Sequence, residues 1–371
     1  MKKLLLLGLL SGFALANMHF EKNKECNACH PAIFKEYQTS QHFKATIFRD
    51  PIHGAVYALH PQQNKKNMYR CAYCHVPTAN NLATLTKKNG EIPDVKNETQ
   101  NEAVSCAYCH RITDVKDGMG RNKNIVSLKS KVYFSSKSIP NSSPFHKIET
   151  KKSIFKDGKI CMGCHSHKSN GKNFQVCATN LNNNASQKSC IDCHMHKVQG
   201  SPSTMSSAKE HTFHGFAGLH GDLTNLSQYV TMNISIKDDN KVFRVTINHD
   251  VPHPSLLHPL RSSKLIVTVN RGGKITKMKD KIIAKTIGTI KNGSLKPTPP
   301  WLATQIVKNT IIPANSKTTY SYIWNLKSGD IVTATFGYYL VKPKIVKKFN
   351  LQDNKEVTKF RVIRKESFTV K

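Results

Sequence analysis

Ten of the eleven cysteines fall into five copies of one pattern, Cys-x-x-Cys-His: Cys26, Cys29 and His30; Cys71, Cys74 and His75; Cys106, Cys109 and His110; Cys161, Cys164 and His165; Cys190, Cys193 and His194. Two thiols three positions apart can both reach the vinyl groups of one porphyrin and form two thioether bonds. The histidine that follows then lies against the porphyrin face, where its imidazole can hold an iron from the proximal side. From the residue frequencies, roughly 0.02 copies per chain are expected by accident. The expected cofactor is haem c, five per chain, with those ten cysteines as thioether residues and those five histidines as proximal ligands. Zinc ribbons also use Cys-x-x-Cys pairs, but they do not require a histidine after every pair, and five pairs leave an odd half-site. A thioredoxin-like redox pair needs a βαβ context that is absent. Disulfides closing two-residue loops would add almost nothing to stability.

Each iron then needs a sixth ligand or an open face. Thirteen of the eighteen histidines lie outside the motifs, more than five irons can use. His42 follows a helix-like stretch over 33–42 and is the leading distal candidate. His167 and His196 each stand two positions after a motif histidine, too close to turn back onto their own iron but able to reach a neighbour. His211 and His214 follow the last motif closely, His146 is intermediate, and His53 and His60 occupy a Pro- and Gly-containing loop. For any one of them the alternative is a hydrogen-bonded surface histidine.

The elements that must position these groups read differently in the two halves. Five motifs within 169 residues leave about one haem per 34 residues, so macrocycles rather than side chains should fill the interior of the first half. Short helices and long loops are expected there, and 87–101 and 170–188 have loop composition. Hydrophobic residues are only 38% of the chain, below the usual ~45–50%, as a haem-filled interior would allow. From about 229 onward no cysteine occurs. Alternating apolar positions suggest strands near 230–236, 242–247, 265–269, 282–290, 318–324, 331–340 and 360–363, with turns at 238–240 and 271–273. This predicts a multi-domain chain: a haem-packed domain of short α-helices and loops over 17–228, then an all-β Ig-like sandwich of about seven strands over 229–371.

The chain opens with Met1-Lys2-Lys3, an apolar run from Leu4 to Leu10 and the small-residue site Ala14-Leu15-Ala16. That order reads as a secretory signal peptide over 1–16, cleaved after Ala16. An uncleaved anchor is the alternative, for which the apolar run is short. Export to the periplasm is expected, and it suits haem attachment, which normally happens outside the cytoplasm. The formal charge of +33 would fall to about +23 with ten ionised propionates. In an exported protein such a surface favours acidic redox partners, anionic lipid headgroups or small anions rather than nucleic acid, although basic pairs scattered along the chain also fit a plain solvated surface.

Glu25-Cys26 through His30, then Tyr37 and Ser40-Gln41-His42, resembles the opening of the cytochrome c-554 type of multihaem cytochrome. So does Val104-Ser105 before Cys106, and so does Cys193-His194-Met195 followed by His211-Thr212-Phe213-His214-Gly215. The likeness covers about residues 20–216 and implies that His42 and His211 are distal ligands; five motifs, against four haems in the namesake, are the departure. The second half resembles the sandwich that follows the haem domain in some related exported cytochromes. There, a loop carries a histidine and a later arginine; here Pro252 to Arg261 keeps His253 and Arg261 but loses the glycines. His253 would then reach back to a haem, or else the loop is a Pro-rich turn between domains.

The odd cysteine, Cys177, is either a reactive thiol near a haem or an inert loop thiol. Three functions follow. The first is an electron carrier for respiration, exchanging with acidic or membrane-bound quinol-linked cytochromes, with peripheral membrane contact compatible with the charge. The second is a periplasmic reductase of a small nitrogen or sulfur compound at one open iron. The third makes the β domain a docking module for a membrane or a multisubunit complex.

Overall fold

The computed structural model describes residues 19–136, 143–150, 153–179, 188–221, 223–237 and 240–371; the candidate leader and the first two positions of the 238–240 turn lie outside them. Among the described residues no helix is long and apolar enough to cross a membrane.

The cysteine-bearing half is built of helices of four to nine residues and two-stranded sheets. Prolines set the first turn of its two longest helices, Pro31–Thr39 and Pro51–Leu59, because a fixed φ suits a position whose N–H has no intrahelical partner. Asp50 caps the second by accepting from the Ile52 backbone N–H at 2.9 Å. The first helix stops at Thr39, where the Ser40 hydroxyl donates to the Tyr37 carbonyl and accepts from the Phe43 N–H. His42 therefore leaves on a turn rather than on the helix expected over 33–42. Apolar clusters here are small; one gathers Tyr69, Ala72, Val76, Ala79 and Leu85, another Tyr108, Ile112 and Ile154.

The second half is all β apart from two short helices and one 3-10 turn. One antiparallel sheet orders Ser316–Ile323, Val242–His249 and Val230–Lys237; a second orders Lys274–Lys277, Ser262–Arg271, Ile331–Tyr339 and Arg361–Thr369, with Lys281–Ile283 also on Ser262–Arg271. Strict alternation buries Phe243, Val245 and Ile247 from one sheet against Leu265, Val267, Val269, Val332, Ala334 and Phe336 from the other, as period-two strands require. Gly272 and Gly273 both take positive φ in the two-residue link from Ser262–Arg271 to Lys274–Lys277, a geometry that a side chain at either position would strain.

Among the described residues the β half holds more strands than the seven expected. The strand expected over 282–290 breaks at Ala284: Lys281–Ile283 stays on the large sheet, while Lys285–Lys291 pairs with Ser294–Pro297 and Gln305–Asn309 in a third sheet. Mutual hydrogen bonds between Ala284 and Thr310 fix the switch. Ile287 of this third sheet and Ala303 beside it pack on Phe174 and Val176 of the cysteine-bearing half. The halves also meet where Ile52, Ala55 and Val56 pack against Leu260, Val341, Val346 and Phe349, and where the Tyr338 hydroxyl donates to the Leu219 carbonyl at 2.5 Å.

Candidate haem sites

Each Cys-x-x-Cys-His motif winds into one helical turn. His30, His75 and His110 each close it by donating their backbone N–H to the carbonyl of the first motif cysteine, at 2.9, 3.0 and 3.0 Å. One turn brings thiols three residues apart to the same side. A single cavity of about 2980 Å³ runs past all ten motif cysteines and all five motif histidines. Pockets for one small molecule measure ~300–1,000 Å³, so the space suits several large groups.

The motif imidazoles are oriented for metal binding. Nδ1 of His30, His75, His110 and His194 donates to the carbonyls of Pro202, Ala45, Phe134 and Ala217, at 2.7, 2.9, 2.9 and 2.6 Å. A proton held on Nδ1 leaves the Nε2 lone pair free to ligate. Burial first, then Lys168 beside His165 and His53 beside His75, pushes His75 and His165 down to about 4, and burial lowers His110. These rings are therefore neutral near pH 7.

Four motif histidines face a second histidine across the cavity. Ring centroids are 6.2 Å apart for His30 and His146, 6.3 Å for His110 and His214, 6.0 Å for His165 and His42, and 6.3 Å for His194 and His253. An iron about 2 Å from each nitrogen, plus roughly 1 Å from each nitrogen to its ring centre, needs roughly 6 Å. The residues present thus fit haem c with two axial imidazoles at four sites. His42 and His214 are pushed to about 3 by burial first and by neighbouring histidines. His214 and His253 donate from Nδ1 to the carbonyls of Thr212 and Pro254.

His75 differs. Its nearest ring is His53, with centroids only 3.9 Å apart, too close to admit an iron. His53 shares the Ala45 carbonyl with His75 through its own Nδ1, at 2.8 Å, and its Nε2 meets the Tyr69 hydroxyl at 3.3 Å. It braces His75. Among the described residues no histidine faces His75 at the separation seen in the other four pairs.

Three expected distal candidates stand elsewhere. His211 is held at both nitrogens, Nδ1 by the Gly200 carbonyl and Nε2 by the Glu36 carboxylate at 3.0 Å. It sits in the Glu210–Thr212 strand paired with Lys197–Gln199. The other Glu36 oxygen accepts from the His214 backbone N–H, so the ring facing His110 belongs to His214, three residues beyond the one the resemblance pointed to. His196 packs on Phe213 with its Nε2 on the Asn225 amide, and His167 turns its Nε2 to the Met119 carbonyl. Neither faces a motif histidine.

Contacts between motif thiols show which sites adjoin. Cys26 lies within hydrogen-bonding reach of Cys106, Cys74 of Cys164, and Cys161 of Cys190. Asn124 spans the remaining gap, donating to the Tyr108 hydroxyl at 3.1 Å and to Cys164 Sγ at 3.7 Å.

Residues 25–111, which hold the first three motifs, match the family model for cytochrome c554 and c-prime, a shorter span than the likeness read from the sequence. Among curated proteins none matches the chain. Of the solved structures, a penta-haem cytochrome c552 from Thermochromatium tepidum is similar over 95% of this chain and 100% of its own, with a TM-score of 0.76 at 20% identity. At that identity the likeness speaks to the fold. The paired imidazoles beside the motif cysteines agree with the family match over the first three motifs and with the fold shared with the penta-haem cytochrome.

Proposed function

We propose that this chain is an exported, periplasmic electron-transfer cytochrome carrying five covalent haems. The observation that carries this reading is the set of four imidazole pairs at 6.0–6.3 Å. Two axial histidines leave an iron no free position, which suits it to pass electrons rather than bind substrate. Numbering sites in motif order, the thiol contacts support a path from site 1 to 3 to 4 to 5, with site 2 branching from site 4. The proposal includes a haem domain over 17–228 behind a leader cleaved after Ala16. It also includes an Ig-like sandwich domain over 229–371, and acidic or quinol-linked respiratory cytochromes as partners for the +33 chain.

A second reading is favoured by one observation: among the described residues, no histidine faces His75 at the separation of the other four pairs. An open iron at site 2, at the end of a branch, supports reduction of a small nitrogen or sulfur compound with electrons delivered through the other four. A pyridine haemochrome count with EPR of the oxidised holoprotein tests both readings. Five haems, four low-spin and one high-spin and responsive to nitric oxide, are expected. Five ligand-inert low-spin haems would remove the reductase, and a count below five would overturn the five-haem chain.

A further inference from the structure

Two of the four distal imidazoles are oriented by hydrogen bonds, those of His214 and His253, whose Nδ1 groups donate to the Thr212 and Pro254 carbonyls. The other two are not. Among the described residues, the Nδ1 atoms of His42 and His146 are buried and have no hydrogen-bond partner. A bond to Nδ1 ordinarily fixes how an axial imidazole is turned about its metal, so another contact must hold these two rings. Each meets an aromatic ring edge to face, an arrangement that the aromatic quadrupole favours. Tyr133 stands against His146 with centroids 5.3 Å apart at 72°, and Phe216 stands against His42, closer still, at 4.1 Å and 76°.

Phe216 does not take this place freely. Its φ is +53°, left-handed backbone that a bulky side chain rarely adopts and that persists only where the surroundings over-determine it. Here the last motif does so. The Ala217 N–H donates to the His194 carbonyl at 3.0 Å and the Ala217 carbonyl accepts from His194 Nδ1 at 2.6 Å, while the Phe213 N–H donates to the His196 carbonyl at 2.9 Å. Between them, a side chain at Gly215 would run into the Phe213 ring. The segment is thus pinned to site 5 at both ends. The ring it projects stands against His42 of site 4 and lies 6.1 Å from His214 of site 3. His42 is also the distal ring that is turned furthest from its partner, 64° from His165 against 18–26° in the other three pairs.

We propose that Phe216 is a positioning residue: by packing against His42 it sets the plane of that axial ring, and with it the electronic state of site 4. The role rests on the reading that His42 and His165 share one iron, and it adds what turns the ring. Because the segment is bound to site 5 and Phe216 also faces His214, one side chain ties together the ligand geometry of sites 3, 4 and 5.

EPR of the oxidised holoprotein reads the ring plane directly. The low-spin signal with the largest maximum g is first assigned to site 4 by its loss in His42→Ala. In Phe216→Leu, which removes the ring but keeps an apolar side chain, that maximum should fall toward those of the other three pairs with the haem count unchanged. Phe216→Tyr, which keeps the ring, should retain it. Phe213→Leu should also leave it in place, because the Phe213 ring packs on His196, which faces no motif histidine. If Phe216→Leu does not take up its haems, Phe216→Gly suits the left-handed backbone and removes the ring as completely, with the same shift expected. An unmoved maximum in the folded variant without the ring overturns the positioning role while the His42 assignment stands. An equal shift in Phe213→Leu or Phe216→Tyr would mark a general loosening of the segment and overturn it too. A signal that survives His42→Ala overturns the axial pairing itself, and the role of Phe216 with it.

Discussion

The two halves solve the problem of an interior in opposite ways. In the β half, sixteen buried residues from the facing strands and the segments joining them form one continuous core. Among the described residues of the cysteine-bearing half, the largest apolar cluster of its own holds five buried residues, and the interior is the cavity lined by cysteines and histidines. One half carries its core in its side chains, and the other leaves it to the haems. Such a half lacks the apolar burial that must offset backbone entropy.

The sharpest way to break the comparison is to withhold the haem. Chain made without haem attachment should be cleaved by protease throughout the cysteine-bearing half, while a fragment beginning near residue 229 survives; equal digestion of both halves would erase the distinction. The converse is a large-to-small change in the β core. Phe243 is fully buried and stacks on Tyr322 at 5.2 Å, so Phe243→Ala should destabilise that half by about 3–5 kcal/mol. Denaturant unfolding would register this with the haem spectrum unaltered at low denaturant.

Within the haem half the effects are smaller and local. His214→Ala should convert one low-spin haem to high-spin in EPR, whereas His211→Ala should leave the low-spin count unchanged, because only the first faces a motif histidine. The reverse result would restore the assignment implied by the resemblance.

The border between the halves carries a pH dependence. His220 and His258 are lowered to about 3, by burial first and then by Arg261. Between about 6.5 and 3 the unfolded chain takes up protons that the folded one refuses, so stability falls as pH falls through that window. The denaturant midpoint should drop from pH 7.5 to 4.5, less steeply in His258→Phe, and a midpoint that rose on acidification would contradict the buried neutral rings. The subtlest effect is spectroscopic. Ring planes are 64° apart for His42 and His165 but 18–26° in the other three pairs. Imidazoles turned 64° apart would leave two iron d orbitals closer in energy than near-parallel ones do, so site 4 should show the low-spin signal with the largest maximum g value, which His42→Ala would abolish.

Much of this was legible in the residues. The motif spacing pointed to haem c because thioether attachment is local, satisfied within one helical turn. Alternation located most strands of the β half for the same reason, period two being a property of a single strand. The break at Ala284 was not legible, because Ile283 and Lys285 find partners in different sheets. Nor was the choice among surplus histidines. His42, His146 and His253 stood out as candidates, but the motif each faces lies 123, 116 and 59 residues away along the chain. His211 and His214 share one short segment, and what separates them is Glu36, brought from 175 residues away.

The sequence by itself therefore determined the attachment motifs and the alternation of most β strands, since both follow from neighbours in the chain. Only the tertiary structure decided which imidazole faces which motif and that, among the described residues, no histidine stands opposite His75 at the separation of the other four pairs. Those are distances between elements far apart in sequence, and no local periodicity encodes them.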